Sequence, residues 1–175
     1  ARNRFIVINA VRITGMGLPE DAAAMLMFEC DGTEDVVAHD SQKVLDVCRQ
    51  VGATQTLVAQ DQQQAQGYWK ARSAGFAAVF GAAPTVLAED VTVPRTRMAE
   101  FIERVVTICA EADLEVTVIG HAGDGNLHPS VMTDARDLAH FQKAQRAVDQ
   151  IIEAAVEFGG VLSGEHGIGL EKQKF

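Results

Sequence analysis

Apolar and polar positions alternate in two runs, Val116-Thr117-Val118-Ile119 and Leu127 to Met132, on either side of a glycine-rich polar segment, His121-Ala-Gly-Asp-Gly-Asn126. Alternation with period two on both sides of Asp124-Gly125 predicts a hairpin with that dipeptide at its tip. A two-residue turn there would pair Gly123 with Asn126, Ala122 with Leu127 and His121 with His128. The two histidines would then face each other with Cβ atoms about 5 Å apart, a separation suited to two imidazoles converging on one metal ion. Asn126 falls on the same face, one pair nearer the tip.

The remaining pattern predicts strand and helix units in succession. Residues 2–13 read as part of an element whose beginning is missing. Ala23 to Cys30 reads as a short strand closed by Asp31-Gly32. Helical spacing of Val37, Val44, Leu45 and Cys48 predicts a helix from Glu34 to about Val51, stopped by Gly52. Thr54 to Gln60 reads as a strand, and Asp61 as the cap of a helix carrying Trp69 and Arg72 to about Phe76. Val86 to Val93 is a further strand, and Pro94 opens a helix whose apolar positions are Met98, Phe101, Ile102, Val105, Val106 and Cys109. After the hairpin comes an amphipathic helix from about Ala135 to Phe158, then Gly159-Gly160 and a last strand, Val161 to Glu165. The expected class is α+β: a single ferredoxin-like domain with a mainly antiparallel sheet and helices packed on one face. No linker, low-complexity tract or repeat divides it.

Composition narrows the function classes. The chain has 175 residues, of which 47% are hydrophobic and 22% charged. No apolar run approaches the ~18 residues of a membrane span. A net charge of −9 argues against nucleic acid or an anionic membrane as partner. Cys30, Cys48 and Cys109 are odd in number and form no CxxC pair, so reduced, structural thiols in a cytoplasmic setting are expected. No signal or transit pattern is read at the start. The absent initiator Met and the close at Leu170-Glu-Lys-Gln-Lys-Phe175, which reads as a helix just begun, suggest a fragment of something longer.

HAGDGNLHP from His121, GGVLSGEHGIG from Gly159, the helix segment Tyr68-Trp-Lys-Ala-Arg72 and Asp90-Val-Thr-Val-Pro94 occur in this order. In that order they resemble the FAD-linked oxidase C-terminal domain of vanillyl-alcohol-oxidase-type flavoproteins. That family includes the FAD subunit of bacterial glycolate oxidase and D-lactate and D-2-hydroxyglutarate dehydrogenases. The resemblance covers nearly the whole chain. It implies a two-lobed enzyme, with an N-terminal FAD-binding lobe missing here and this lobe capping the flavin and supplying the substrate pocket. The fragment alone is then expected to be inactive. Iron–sulfur and second flavin-type subunits are implied as partners, with a homo-oligomer as a further expectation.

Oxidising a 2-hydroxy acid requires loss of the hydroxyl proton while hydride leaves the α-carbon for FAD. A divalent cation at the hydroxyl and a nearby base meet that need. The resemblance implies His121, His128 and Glu165 as metal ligands. Two imidazoles and a carboxylate leave positions open, as catalytic sites do; zinc is the first choice, with manganese and iron compatible. His166 is the candidate base and flavin neighbour, its backbone re-aimed by Gly164 and Gly167. Arg72 matches the family's substrate-carboxylate arginine, whose planar fork binds a carboxylate at two points. Asn126 either hydrogen-bonds substrate or flavin or serves a left-handed turn. Asp124 reads as a turn residue, Trp69 as core, and His39 and His140 as solvated.

Residues 80–92 contain no Lys or Arg to grip a second carboxylate, which favours glycolate or D-lactate, although Arg95 and Arg97 follow closely. Two other classes compete. A stand-alone zinc hydrolase could use His121, His128 and Glu165 to activate water, and a non-catalytic interaction domain could keep the fold. A phosphate cradle at Gly164, Gly167 and Gly169 is disfavoured, because Glu165 would repel the anion.

Overall fold

The computed structural model describes Ala22 and residues 24–175, so the elements expected at residues 2–13 and at Ala23 lie outside the described residues. Helix α1 spans Glu34–Gln50 and α2 spans Gln62–Phe80, the latter started by Asp61, whose carboxylate accepts from the Gln64 amide at 2.8 Å. Strands β1 (Thr85–Ala88) and β2 (Val91–Thr92) follow. A 3-10 turn at Arg95–Arg97 then leads into α3, Met98–Glu111. The hairpin β3 (Glu115–His121) and β4 (Asn126–Thr133) comes next, and α4 closes the regular structure at Leu138–Glu157. Asp137 caps α4 by accepting from the Ala139 and His140 amides, each at 3.1 Å.

All pairings in the sheet are antiparallel, and β4 lies at its centre. One edge of β4 takes β3; the other takes β1 and β2 in the same register. The run expected as one strand from Val86 to Val93 is therefore interrupted at Glu89-Asp90. Pro129 sits opposite this break: its carbonyl accepts from the Glu89 amide at 2.8 Å, but it has no N–H to return the bond. After α4 the chain meets β2 through one residue pair, Thr92 with Val161. The order Val161, β1/β2, β4, β3, with α3 and α4 as the crossings, is the ferredoxin-like α+β arrangement.

Alternation gives the sheet two different faces. Leu87, Val91, Val116, Val118, Leu127 and Val131 belong to the main core with α3 and α4, where Phe101, Val105, Ile108, Ala147 and Ile151 are almost wholly buried. Phe101 meets Phe158 edge-to-face at 5.6 Å between centroids. The opposite face carries Val86, Ile119 and Met132 at one end, covered by Ala78 and Val79 of α2. Its other end carries His121, Asn126 and His128. All of β4 is buried, as the central strand of the sheet.

Three expected strands differ. Residues 24–30 and 54–60 form no strand, and Met25, Leu26, Phe28, Leu57 and Val58 are exposed. Their apolar content fits a strand, but a strand also needs a neighbour to complete its ladder, and the four strands described here do not pair with them. Val161 to Glu165 is reduced to the single Val161 bridge, because the amides beyond it turn to a side-chain acceptor instead. Trp69 is not core but 42% exposed. His39 is exposed as expected, whereas His140 is half-buried with its Nδ1 2.8 Å from the Thr133 hydroxyl. Cys109 is buried, and burial pushes its thiol up to about 11, while Cys30 and Cys48 are half-buried; all three are free.

Candidate functional site

The hairpin forms with a different register from the expected one. His121 pairs with Asn126, Gly120 with Leu127 and Ile119 with His128, leaving the four residues 122–125 as the loop. Gly125 has φ +87°, and the Asp124 carboxylate accepts from the Asn126 amide at 2.9 Å, so Asp124 is the turn residue. The register differs by two residues, an even shift, and side-chain faces repeat every two. His121 and His128 thus stay on one face as diagonal neighbours, their ring centroids 5.9 Å apart.

Glu165 reaches this pair from the segment after α4. Its carboxylate lies 3.5 Å from His121 Nε2 and 3.9 Å from His128 Nε2. One ligand atom from each of the three residues falls within 4.8 Å of the others. Two ligands of a tetrahedral ion with bonds of about 2.1 Å stand about 3.4 Å apart, so a closure of a few tenths of an ångström to about 1.4 Å brings all three onto one cation. Imidazole and carboxylate donors together suit zinc, manganese or iron. The site is open on one side: His121 is 40% and Glu165 50% exposed in side chain, while His128 is 7% exposed. His166 stacks on His128, ring centroids 5.3 Å apart and planes at 24°. Gly167, at φ +83°, supplies the backbone bend that follows it.

The residue that builds this loop, Asp90, stands in the sequence as the first of the Asp90-Val-Thr-Val-Pro94 motif. Asp90, 1% exposed, sits at the break between β1 and β2. Its carboxylate accepts from the backbone amides of Gly164 (3.0 Å), Glu165 (2.9 Å) and His166 (2.8 Å) and from the Ser163 hydroxyl at 2.6 Å. It also accepts from the Asn126 side-chain amide at 3.0 Å. Burial raises its pKa, but the hydrogen bonds from His166, Ser163, Glu165 and Gly164 outweigh burial and hold the carboxyl well below its usual range. The charged pair Glu89-Asp90 between Ala88 and Val91, in an otherwise apolar run, was the signal available for it.

Lys172 fastens the same segment from behind. Its side chain, 7% exposed, donates to the backbone oxygens of Asp90 (2.6 Å) and Leu162 (2.7 Å) and pairs with Glu89 at 3.2 Å. A cleft of about 360 Å³ opens beside it, lined by Glu89, Asp90, His166, Ile168 and Lys172 among others. Gly164 is required by close approach: a Cβ there would overlap the Asn126 amide and the Thr92 hydroxyl. Asn126 itself is 3% exposed, and its Oδ1, like Thr92 Oγ1, is buried without a hydrogen-bond partner.

Arg72 lies exposed on α2, and among the described residues no hydrogen bond or ion pair joins it to the histidine cluster. Arg95 reaches the Gly123 carbonyl at 3.4 Å, and Arg97 pairs with Glu100 and covers the Phe158 ring. The structure thus brings together His121, His128, Glu165, His166 and Asn126, with Arg72 on a separate element.

Comparison with known proteins identifies the family. Residues 4–175 match the model of FAD linked oxidases, C-terminal domain. The chain is 36% identical over 160 residues to the glycolate oxidase subunit GlcD of Bacillus subtilis, covering 91% of this chain and 34% of that protein. It is 39% identical over 156 residues to GlcD of Escherichia coli K12, covering 89% and 31%. With a D-lactate dehydrogenase of Anaerostipes hadrus it shares 38% identity over 164 residues, covering 89% and 33%. The chain spans about a third of the length of these relatives. A match along nearly its whole length, with similarity of this degree, shows that the chain belongs to the FAD-linked oxidase C-terminal domain family.

Proposed function

We propose that the chain is the substrate- and metal-binding lobe of an FAD-dependent 2-hydroxy-acid dehydrogenase or oxidase acting on glycolate or D-lactate. In this reading all 175 residues form one cap domain of a longer flavoprotein whose FAD-binding lobe lies N-terminal to it. The observation that carries the proposal is the convergence of His121, His128 and Glu165 on an open sheet face, their ligand atoms within 4.8 Å of one another.

The residues present fit both groups the family implies. Three ligand atoms of types that zinc takes lie within 4.8 Å of one another, close enough for modest side-chain adjustment to bring them onto one ion. The buried, unpartnered Asn126 Oδ1 offers an acceptor to a donor from substrate or flavin. Bound FAD supplies the hydride acceptor, and a cation beside the substrate hydroxyl lowers that hydroxyl's pKa. The chain's own side chains do the rest. His121, His128 and Glu165 would hold the cation; protons compete for the same atoms, so its affinity would fall in acid. His166, stacked against His128, takes the hydroxyl proton as general base. Asn126 orients the bound acid or the flavin edge. Arg72 binds the substrate carboxylate through its guanidinium fork, a role supported by its match to the family's arginine and not by contact with the cluster.

No helix among the described residues is long and apolar enough to cross a membrane. Free cysteines fit a reducing compartment such as the cytoplasm, and relatives named as glycolate oxidase subunits support work alongside further subunits, which we take to be iron–sulfur and second flavin-type chains with homo-oligomeric assembly. The test is anaerobic mixing of the full-length, FAD-loaded protein with glycolate or D-lactate. Loss of oxidised-flavin absorbance is expected. Zinc-dependent ester or amide hydrolysis with no flavin response would instead establish a hydrolase built on the same three ligands.

A further inference from the structure

Glu165 and His166 are adjacent in sequence, yet both must address the His121–His128 pair, and no regular strand holds them there. What holds them is a single acceptor. Three successive amides, Gly164, Glu165 and His166, and the Ser163 hydroxyl converge on Asp90 Oδ2 at 2.6–3.0 Å. Ser163 Oγ in turn accepts from the Gly167 amide at 2.7 Å, closing the loop at its far end. The other oxygen, Oδ1, takes the Asn126 Nδ2 at 3.0 Å. An ionised carboxylate can only accept. It therefore decides which way the Asn126 amide points: Nδ2 toward Asp90, with Oδ1 left buried and unpartnered on the other side of the amide.

We propose that Asp90 is a positioning residue that sets both the Glu165 ligand and the Asn126 amide, so that the loop and the hairpin present one preorganised site. The inference rests on the metal reading above, with His121, His128 and Glu165 as ligands. Asp90 touches neither the cation nor the substrate and acts only through Glu165, His166 and Asn126. An asparagine at 90 keeps the shape and one acceptor, and Asn126 can flip to receive its new N–H₂ group. The exchange is thus tolerated sterically but loosens the loop and turns the Asn126 donor outward.

The experiment is a zinc and a manganese titration of the full-length protein, comparing wild type, Asp90→Asn, Ser163→Ala and, as ligand control, Glu165→Ala. Partners that orient a ligand are worth 10–100-fold in metal affinity. Asp90→Asn is expected to weaken binding by that factor while thermal unfolding stays cooperative and FAD content is unchanged. Ser163→Ala, which removes one of the Oδ2 contacts, weakens it less and in the same direction. Wild-type affinity in a folded Asp90→Asn protein overturns the inference. Should that variant fail to fold, wild-type affinity in Ser163→Ala overturns it equally. A wild-type protein that binds neither metal fails at the ligand set itself, and this inference falls with it.

Discussion

Replacing Lys172 by Met should be among the most damaging single changes outside the helical core. The lysine is buried and its partner largely so: the two side chains are 7% and 12% exposed. Lys172→Met keeps the stem's volume but strands the Glu89 carboxylate and leaves the Asp90 and Leu162 backbone oxygens without this donor. Breaking a buried pair by removing one partner costs about 3–5 kcal/mol. With a urea slope of about 2 kcal/mol/M, the unfolding midpoint should fall by roughly 2 M. The pH dependence has a definite sign. Burial raises the Glu89 pKa, and Lys172 opposes that rise. Without the lysine the folded pKa climbs further above the unfolded value. The folded state then binds the extra proton, and stability falls as pH rises through that window. The variant should lose less at pH 5 than at pH 8. A Glu89→Gln/Lys172→Met double variant should recover part of the loss, with a coupling of about 1–3 kcal/mol in the four-protein cycle. A loss below about 1 kcal/mol at pH 8, or strict additivity in the cycle, would refute the reasoning.

Arg72→Lys in the full-length enzyme should chiefly raise KM for the hydroxy acid, by about 1.5–3 kcal/mol or on the order of 10–150-fold, because an ammonium replaces a two-point fork; steady-state kinetics with an unaltered KM would remove Arg72 from the carboxylate site. Gly164→Ala should push residues 163–166 away from Asn126 and Thr92, costing about 1–3 kcal/mol in denaturant unfolding and lowering metal affinity; unchanged metal binding would show that the loop has room the close contacts deny.

The sequence made the helices and the chemical face of the hairpin legible, for physical reasons that also mark where it stopped. Helix α3 was readable because Phe101, Val105 and Ile108 recur at one-turn spacing and all face the same core. The histidine pair was readable because face depends only on parity. The loop length depends instead on local turn geometry, and four residues rather than two form it. Strands expected at 23–30 and 54–60 failed because composition records the propensity of a segment and not the presence of a partner. The Val161–Glu165 strand failed because Asp90, over seventy residues away in sequence, captures the amides that a ladder would have used. A buried acceptor that reorganises a distant loop leaves only one trace in the chain, the charged Glu89-Asp90 step within an apolar run.

The account turns on one cation shared by three side chains, and anomalous X-ray scattering from crystals of the full-length protein grown with zinc tests it most directly. A single strong peak is expected about 2.0–2.2 Å from a nitrogen of His121, a nitrogen of His128 and a carboxylate oxygen of Glu165. An anomalous map without a peak there, in crystals holding zinc at other positions, would contradict it.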